Sequence, residues 1–258
     1  MAKALRSSER RYEHTGRKEI WHSFALPGHP TCLTCGFGVL VAFDELRLPP
    51  GDSLLLYFED ELETAIYVYQ GAISQSEVGG VSEVLQTGEF QCASSGRGGP
   101  RIETSVSRSR PVHLFRIALR PDAVGLARAR AHKRFTTAQR RNTLCIVASP
   151  DGREGSLRLH QDAMVYSAIL EPGQHVAHAL ESQRSAWLHI VRGAAVFEDL
   201  VLREGDGIGV AQVPAVAITA KEDTEILLVD LGPPPSVGNG WAEPGGPTVR
   251  FPLPSGCK

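Results

Sequence analysis

The chemistry this chain can carry is concentrated in a few short stretches. The segment DSLLLYFEDELETAIYVYQGAI, from Asp52 to Ile73, sets a phenol and two carboxylates close together in Tyr57, Glu59 and Glu63. Tyr57 and Glu59, with Glu103 farther along the chain, act as donor, acid and base when burial raises a carboxylate's pKa. As oxygen ligands Tyr57, Glu59, Glu63 and Glu103 suit a hard cation such as Mg, Ca or Mn. HPTCLTC, from His29 to Cys35, has an H-x-x-C-x-x-C spacing of the kind that holds zinc or acts in redox chemistry. No second C-x-x-C follows it, so an ordinary loop is expected. SSGRGGPR, from Ser94 to Arg101, has the glycines of a phosphate loop without the Lys-Ser/Thr ending or a following helix. It reads as a flexible loop. His160, His175, His178 and His189 find no partner pair near Gly205 to Ala211 and read as core or surface histidines.

These groups need strands to position them. Short apolar stretches recur between Gly and Pro punctuation, among them SLLLYF, AIYVYQGAI, VHLFRIAL, TLCIVAS, MVYSAIL, AWLHIV and TEILLVDL. Each has strand length, and many carry β-branched or aromatic residues, so the chain is expected to be all-β. Ala123 to Arg140 (AVGLARARAHKRFTTAQR) alone has a helix-like composition. It reads as a solvated surface helix or irregular connection between halves.

Composition excludes several classes. At 42% hydrophobic, 258 residues can bury a proper core. Basic and acidic residues number 27 and 29 with no long block of one sign, so no nucleic-acid partner is expected. Five cysteines do not form the disulfide framework of a small secreted domain. No apolar run approaches a membrane span, and the first residues lack a signal-peptide core. A cytoplasmic protein without a membrane partner is the expectation.

The glycines repeat. LPPGD with Gly51, YQGAI with Gly71 and LQTGE with Gly88 are answered by LEPGQ with Gly173, VRGAA with Gly193 and LREGD with Gly205. The interval between the first two glycines is the same in both copies, and the third comes sooner in the second copy, a difference a loop absorbs. Each copy reads as strands joined by tight turns in which glycine supplies positive φ. Two small antiparallel barrels follow from this pattern.

VASPDGREGSLRLHQDAMVYSAILEPGQHVAHAL, with AWLHIVRG and DTEILLVDL after it, resembles the second half of pirin-like bicupins. IWHSFA, IYVYQGAI and TGEFQ resemble the first half. The resemblance implies two cupin (double-stranded β-helix, or jelly-roll) barrels packed face to face, with one metal site in the N-terminal barrel. It also implies that some members are quercetinases and others regulators. The family's site takes two histidines from an H-x-H and a histidine and glutamate two residues apart, since residues i and i+2 of a strand project to one side. Aligned on Gly51 and Gly71, the H-x-H becomes Tyr57-Phe58-Glu59; aligned on GEFQ and Gly96, the second pair becomes Arg101-Ile102-Glu103. A guanidinium offers no lone pair and is not deprotonated in proteins. Arg101 is therefore expected to replace the metal's charge, paired with Glu59 or Glu103, with Glu63 and Tyr57 completing a former metal pocket.

The expected organisation is an N-terminal barrel over 1–130, a C-terminal barrel over 131–235 and an extended Pro/Gly-rich tail over 236–258, with the halves joined near 125–145. The expected protein holds no cofactor and binds a small molecule or a protein partner. The alternative is an enzyme of the quercetin 2,3-dioxygenase type, or a descendant using a divalent metal such as Fe, Ni or Mn or metal-free acid/base chemistry.

Overall fold

The computed structural model describes residues 2–24, 36–58, 62–77, 82–94, 96, 99–123, 125–233 and 249–250. The H-x-x-C-x-x-C segment, Glu59 and most of the tail lie outside the described residues. Strand β1 (Ala2–Leu5) precedes the hairpin of β2 (Arg11–Thr15) and β3 (Lys18–His22). Then come β4 (Leu40–Leu48), β5 (Ser53–Phe58), β6 (Glu63–Gln70) and β7 (Ala72–Glu77). β8 (Glu83–Gln86), β9 (Glu89–Ser94), β10 (Gly99–Ser105), β11 (Val112–Leu119) and β12 (Ala129–Arg134) complete the first series. A one-turn helix α1 (Thr137–Arg140) leads to β13 (Cys145–Ser149), β14 (Leu157–Arg158), β15 (Ala163–Leu170), β16 (His175–Ala179) and β17 (Ser185–Arg192). The last are β18 (Ala194–Phe197), β19 (Leu200–Arg203), β20 (Gly207–Ala211), β21 (Ala215–Ala220), β22 (Thr224–Leu231) and the two-residue β23 (Val249–Arg250). Among the described residues no helix is long and apolar enough to cross a membrane.

The chain forms two compact units. The N-terminal unit comprises Arg11–Gly36, Leu40–Arg134 and Gly240–Lys258; the C-terminal unit comprises Met1–Arg10, Phe37–Val39 and Phe135–Asn239. The units differ from the expected division at the start of the chain, because β1 pairs antiparallel with β20 along its whole length. Arg6 and the Ser7 amide then fasten that segment to Asp206, each at 2.8 Å. In the tail, the described Val249 and Arg250 pair with Phe58 and Tyr57.

In the N-terminal unit a seven-stranded sheet (β12-β9-β6-β11-β4-β3-β2) and a five-stranded sheet (β23-β5-β10-β7-β8) enclose one core. Leu46, Leu54, Leu56, Ile66, Val68, Ile73, Leu85, Val112 and Leu114 fill it. In the C-terminal unit β1-β20-β17-β22-β15-β13-β14 faces β16-β21-β18-β19 around a second core that includes Leu188, Phe197, Ile208, Ile218 and Leu228. The pairing schemes correspond strand for strand. β10 pairs with β5 and β7 as β21 pairs with β16 and β18, and β11 pairs with β4 and β6 as β22 pairs with β15 and β17. All eight residues of β11 and of β22 are buried.

Of the basic stretch expected as a helix or irregular connection, Ala129–Arg134 form β12, an edge strand paired residue by residue with β9, Thr137–Arg140 form α1, and the other described residues are irregular. Cross-strand pairing to an otherwise open edge outweighs local propensity in β12. The later part of SSGRGGPR is likewise strand, since Gly99, Pro100 and Arg101 open β10.

The repeated glycines occupy matching turns. Gly71, between β6 and β7, has φ +83°, and a Cβ there would lie 2.7 Å from the Pro111 carbonyl oxygen. Gly193, between β17 and β18, has φ +82°, and its Cβ would lie 2.4 Å from the Asp223 carbonyl oxygen. Gly51 has φ +73° with open space around it. The left-handed conformation alone costs a non-glycine residue about 1–2 kcal/mol. Gly51→Ala should lose about that amount, and Gly71→Ala and Gly193→Ala should lose more because backbone must move. Thermal melts of the three variants check the order.

Candidate functional site

Strand β10 builds the site by alternation. Arg101, Glu103 and Ser105 are buried, whereas Ile102 between them is exposed. Their register partners are Leu56 for Arg101 and Leu54 for Glu103 on β5, and Gln75 for Glu103 on β7. Leu54 and Leu56 belong to the core, so this face of β10 looks into the barrel. Glu103 is completely buried and both its oxygens are engaged. Gln75 Nε2 donates to Oε1 at 3.0 Å, and the Arg116 guanidinium donates through Nη2 to Oε2 in a tight ion pair.

Arg116 stands in β11 (VHLFRIAL) between the core residues Leu114 and Ala118 and is itself completely buried. Its Nε and Nη1 make no further hydrogen bond, so Glu103 supplies its counter-charge. Register places Asp44 of β4 opposite Arg116, and His22 of β3 opposite Asp44. His22 Nδ1 lies 2.8 Å from Asp44 Oδ1. Burial pulls the His22 pKa down, but the Asp44 charge and hydrogen bond, with Glu13 3.6 Å from Nε2, outweigh it and raise the value to about 9. Gln91, opposite Ile66 on β9, donates to Glu83 at 3.2 Å. The result is a polar layer across the barrel. One inward step farther along β11, β4, β6 and β9 the side chains are Ala118, Ala42, Thr64 and Ala93, all small.

The expected site residues fall into place unevenly. Arg101 and Glu103 share the inward face of β10. Of the two expected partners of Arg101, Glu103 is instead paired with Arg116, whose guanidinium reaches it from the facing sheet, and Glu59 lies outside the described residues. Tyr57 is register partner to Pro100, one position from Arg101, and its side chain, like Glu59, lies outside what is described. Glu63 is buried beside Cys92, whose thiol burial and the Glu63 charge push up in pKa. It alternates with Thr64 and Ile66 and so leaves the other face of β6 from the one that meets Gln91. Arg116, Gln75, Asp44 and His22 were not singled out from sequence. The available signal was the lone charge inside VHLFRIAL, since an arginine in a fully buried strand requires a partner.

The family resemblance implies a metal at this level of the barrel. On β10 the described donors are a guanidinium, which has no lone pair, and a carboxylate with both oxygens already bonded. These do not fit a transition-metal site, and among the described residues no group of three or more His, Cys, Asp or Glu is placed to hold an ion. In the C-terminal unit His160 and His175 are exposed, His189 is buried, and His178 is bonded to Asp230 at 2.7 Å.

Comparison with known proteins agrees with this architecture. Residues 146–231 match the family described as quercetinase C-terminal cupin domain. The quercetin 2,3-dioxygenase of Escherichia coli K12 is 28% identical over 228 residues, covering 88% of this chain and 97% of the relative. A pirin-like protein of Caulobacter vibrioides is 26% identical over 210 residues, covering 81% and 90%. The crystal structure of YhhW from Escherichia coli aligns with a TM-score of 0.84 at 28% identity, covering 90% of this chain and 98% of that one. The nickel(II) complex of bacterial pirin YhhW aligns with a TM-score of 0.83 at 27% identity, covering 90% and 100%. Two corresponding cupin units in one chain define a bicupin. The chain has this architecture and is similar along most of its length to pirin-like proteins.

Arg116→Leu should destabilise the N-terminal unit by about 3–5 kcal/mol, because it strands a buried carboxylate. Adding Glu103→Leu should recover most of that loss, as replacing a whole buried pair with apolar residues is often neutral. Denaturant unfolding of the single and double variants checks this. His22 gives a pH dependence of definite sign. Its folded pKa of about 9 exceeds the ordinary 6.5, so its stabilisation is full below pH 6.5 and is lost as pH rises through 9. The fall in melting temperature over that window should shrink in His22→Gln.

Proposed function

We propose that this pirin-like bicupin works without a metal in its N-terminal barrel, as a binding or regulatory protein that takes a small molecule or a protein partner. One observation carries the reading: Glu103, at the family's acidic ligand position, is occupied through both oxygens by Arg116 and Gln75. Moving Glu103 to a metal ion would leave Arg116 buried without its counter-charge, a cost of several kcal/mol. Arg101 supports the same reading, since it adds a fixed cation where a ligand would need a lone pair. The small side chains Ala42, Ala118, Ala93 and Thr64 beside this layer favour a small guest over a purely structural barrel.

A second reading has its own support. Relatives carry the name quercetin 2,3-dioxygenase, and YhhW has been crystallised with nickel(II). It would make this chain an enzyme of that type, or a descendant using another metal or metal-free acid/base chemistry in the N-terminal barrel.

Elemental analysis of protein purified without chelator, followed by flavonol decay assays with added Fe, Ni, Cu, Mn or Co, separates the two. The expected outcome is substoichiometric metal and no metal-dependent turnover. Turnover that tracks one added metal would favour the second reading. Restoring imidazoles by Tyr57→His, Glu59→His and Arg101→His should recover little metal uptake while Arg116 holds Glu103. Adding Arg116→Leu should release the carboxylate and raise uptake.

A further inference from the structure

The basic stretch before α1 ends in an open sheet edge. Strand β12 pairs with β9 through all six of its residues and stands last in its seven-stranded sheet, so its other edge meets no strand among the described residues. It is the longest of the strands at the sheet ends, the others being β1, β2, β8, β14, β16, β19 and β23. Each of those carries at most one lysine or arginine, whereas β12 carries Arg130, Lys133 and Arg134, with Arg128 just before it. Ala129, Ala131, His132 and Arg134 are exposed, and Arg130 and Lys133 are half-buried.

Alternation sorts the charges. Register sets Arg130 opposite Ala93, His132 opposite Gln91 and Arg134 opposite Glu89, so these three share one face; Lys133, opposite Phe90, is on the other. Glu83 of β8 lies 3.5 Å from Arg130 and from His132, and Glu89 lies 3.6 Å from Arg134. These are long, partly exposed ion pairs, which water and salt screen and an incoming carboxylate can displace. His132 aside, Arg128, Arg130, Lys133 and Arg134 outnumber Glu83 and Glu89, and no acidic residue occurs between Ala123 and Arg140.

An open edge lined by one sign of charge has two effects. Its unpaired amides and carbonyls template a further strand, and its lysine and arginines repel most candidates. That repulsion is selective, because a neutral or basic strand leaves it in place and an acidic strand removes it. We infer that β12 is a docking edge for an acidic segment of a partner protein, which extends the seven-stranded sheet by one strand. Main-chain hydrogen bonds along the edge hold the segment. Carboxylates on one of its faces meet Arg130 and Arg134, and a carboxylate on the other meets Lys133. A nucleic acid matches the charge but has no ladder of alternating backbone donors and acceptors to offer the edge, so the geometry favours a peptide. The inference is independent of whether the N-terminal barrel holds a metal or a small guest.

The probe is a short fluorescent peptide of alternating Glu and Val, titrated into the full-length protein and followed by anisotropy. Saturable binding should appear and weaken as salt rises. In the double variant Arg130→Glu, Arg134→Glu it should fall about tenfold or more, since two opposite-charge cross-strand pairs become like-charge pairs. Arg158→Glu, at an exposed arginine on the edge strand β14, should leave it unchanged. Peptides of the same length alternating Lys with Val, or Glu with Pro, should not compete; the second keeps the charge but loses amides to proline. Amide hydrogen exchange of residues 129–134 should slow in the wild type on saturation. Equal binding of the Glu-Pro peptide or of duplex DNA would reduce the edge to an unspecific cationic patch and overturn the inference. Absence of binding by wild type, undiminished binding by the folded double variant, or exchange in β12 unmoved by the peptide would each overturn it too.

Discussion

Complete burial of the Arg116 charge is the constraint from which the N-terminal barrel has to be understood. A guanidinium cannot shed its proton, so an arginine inside a barrel imposes a carboxylate within reach. Glu103 meets that demand from the facing sheet, and Gln75 fills the oxygen that Arg116 leaves. The pair therefore ties β11 of one sheet to β10 of the other at a level where the neighbouring layers are apolar. Interactions of this kind add little net stability against an apolar alternative, but they are intolerant of losing one member. Their effect is to specify which strand faces which, and hence the register of the face that carries Arg101.

The two units share one pairing scheme and place their polar groups differently within it. In β11 the charge sits in the middle of the strand, at Arg116; in β22 the middle is Leu-Leu and the carboxylates are near the ends, at Glu225 and Asp230. Glu225 is held by Arg140 at 2.7 Å, and Asp230 by His178 and Arg184. Both strands are buried throughout, so each charged residue requires a partner from another element, and the partner's position decides the character of the interior. The first barrel becomes a cross-braced polar layer. The second becomes an apolar core with a polar end.

Much of this was legible in the sequence. The repeated glycines foretold two copies of one β-unit, because positive φ at a tight turn leaves few alternatives, and Gly71 and Gly193 are hemmed in by the backbone of matching turns. Family resemblance brought Arg101 and Glu103 together correctly, since i and i+2 of a strand must share a face. The identity of Glu103's partner was not legible. Arg116 reaches it from a strand on the opposite sheet, and strand spacing carries no information about which residues two facing sheets bring into contact. Glu63 was misplaced for the complementary reason: one position along β6 exchanges the inward face for the other. The basic stretch of β12 misled because composition records propensity, whereas the open edge of β9 determined the outcome.

The guanidinium beside Glu103 also bears on what the proposed reading asks of the barrel. A metal bound through several strands would draw its ligands inward and fill the layer they share. Arg116 neutralises Glu103 from within the core layer, and the next inward positions around the seven-stranded sheet remain Ala118, Ala42, Thr64 and Ala93. Bulky apolar residues at those positions would be expected had the barrel become a sealed structural plug, because a packed interior leaves few voids and gains from filling them. Small residues beside a buried cation are what the proposed metal-free, small-molecule-binding reading requires of this layer, and bulky ones would count against it.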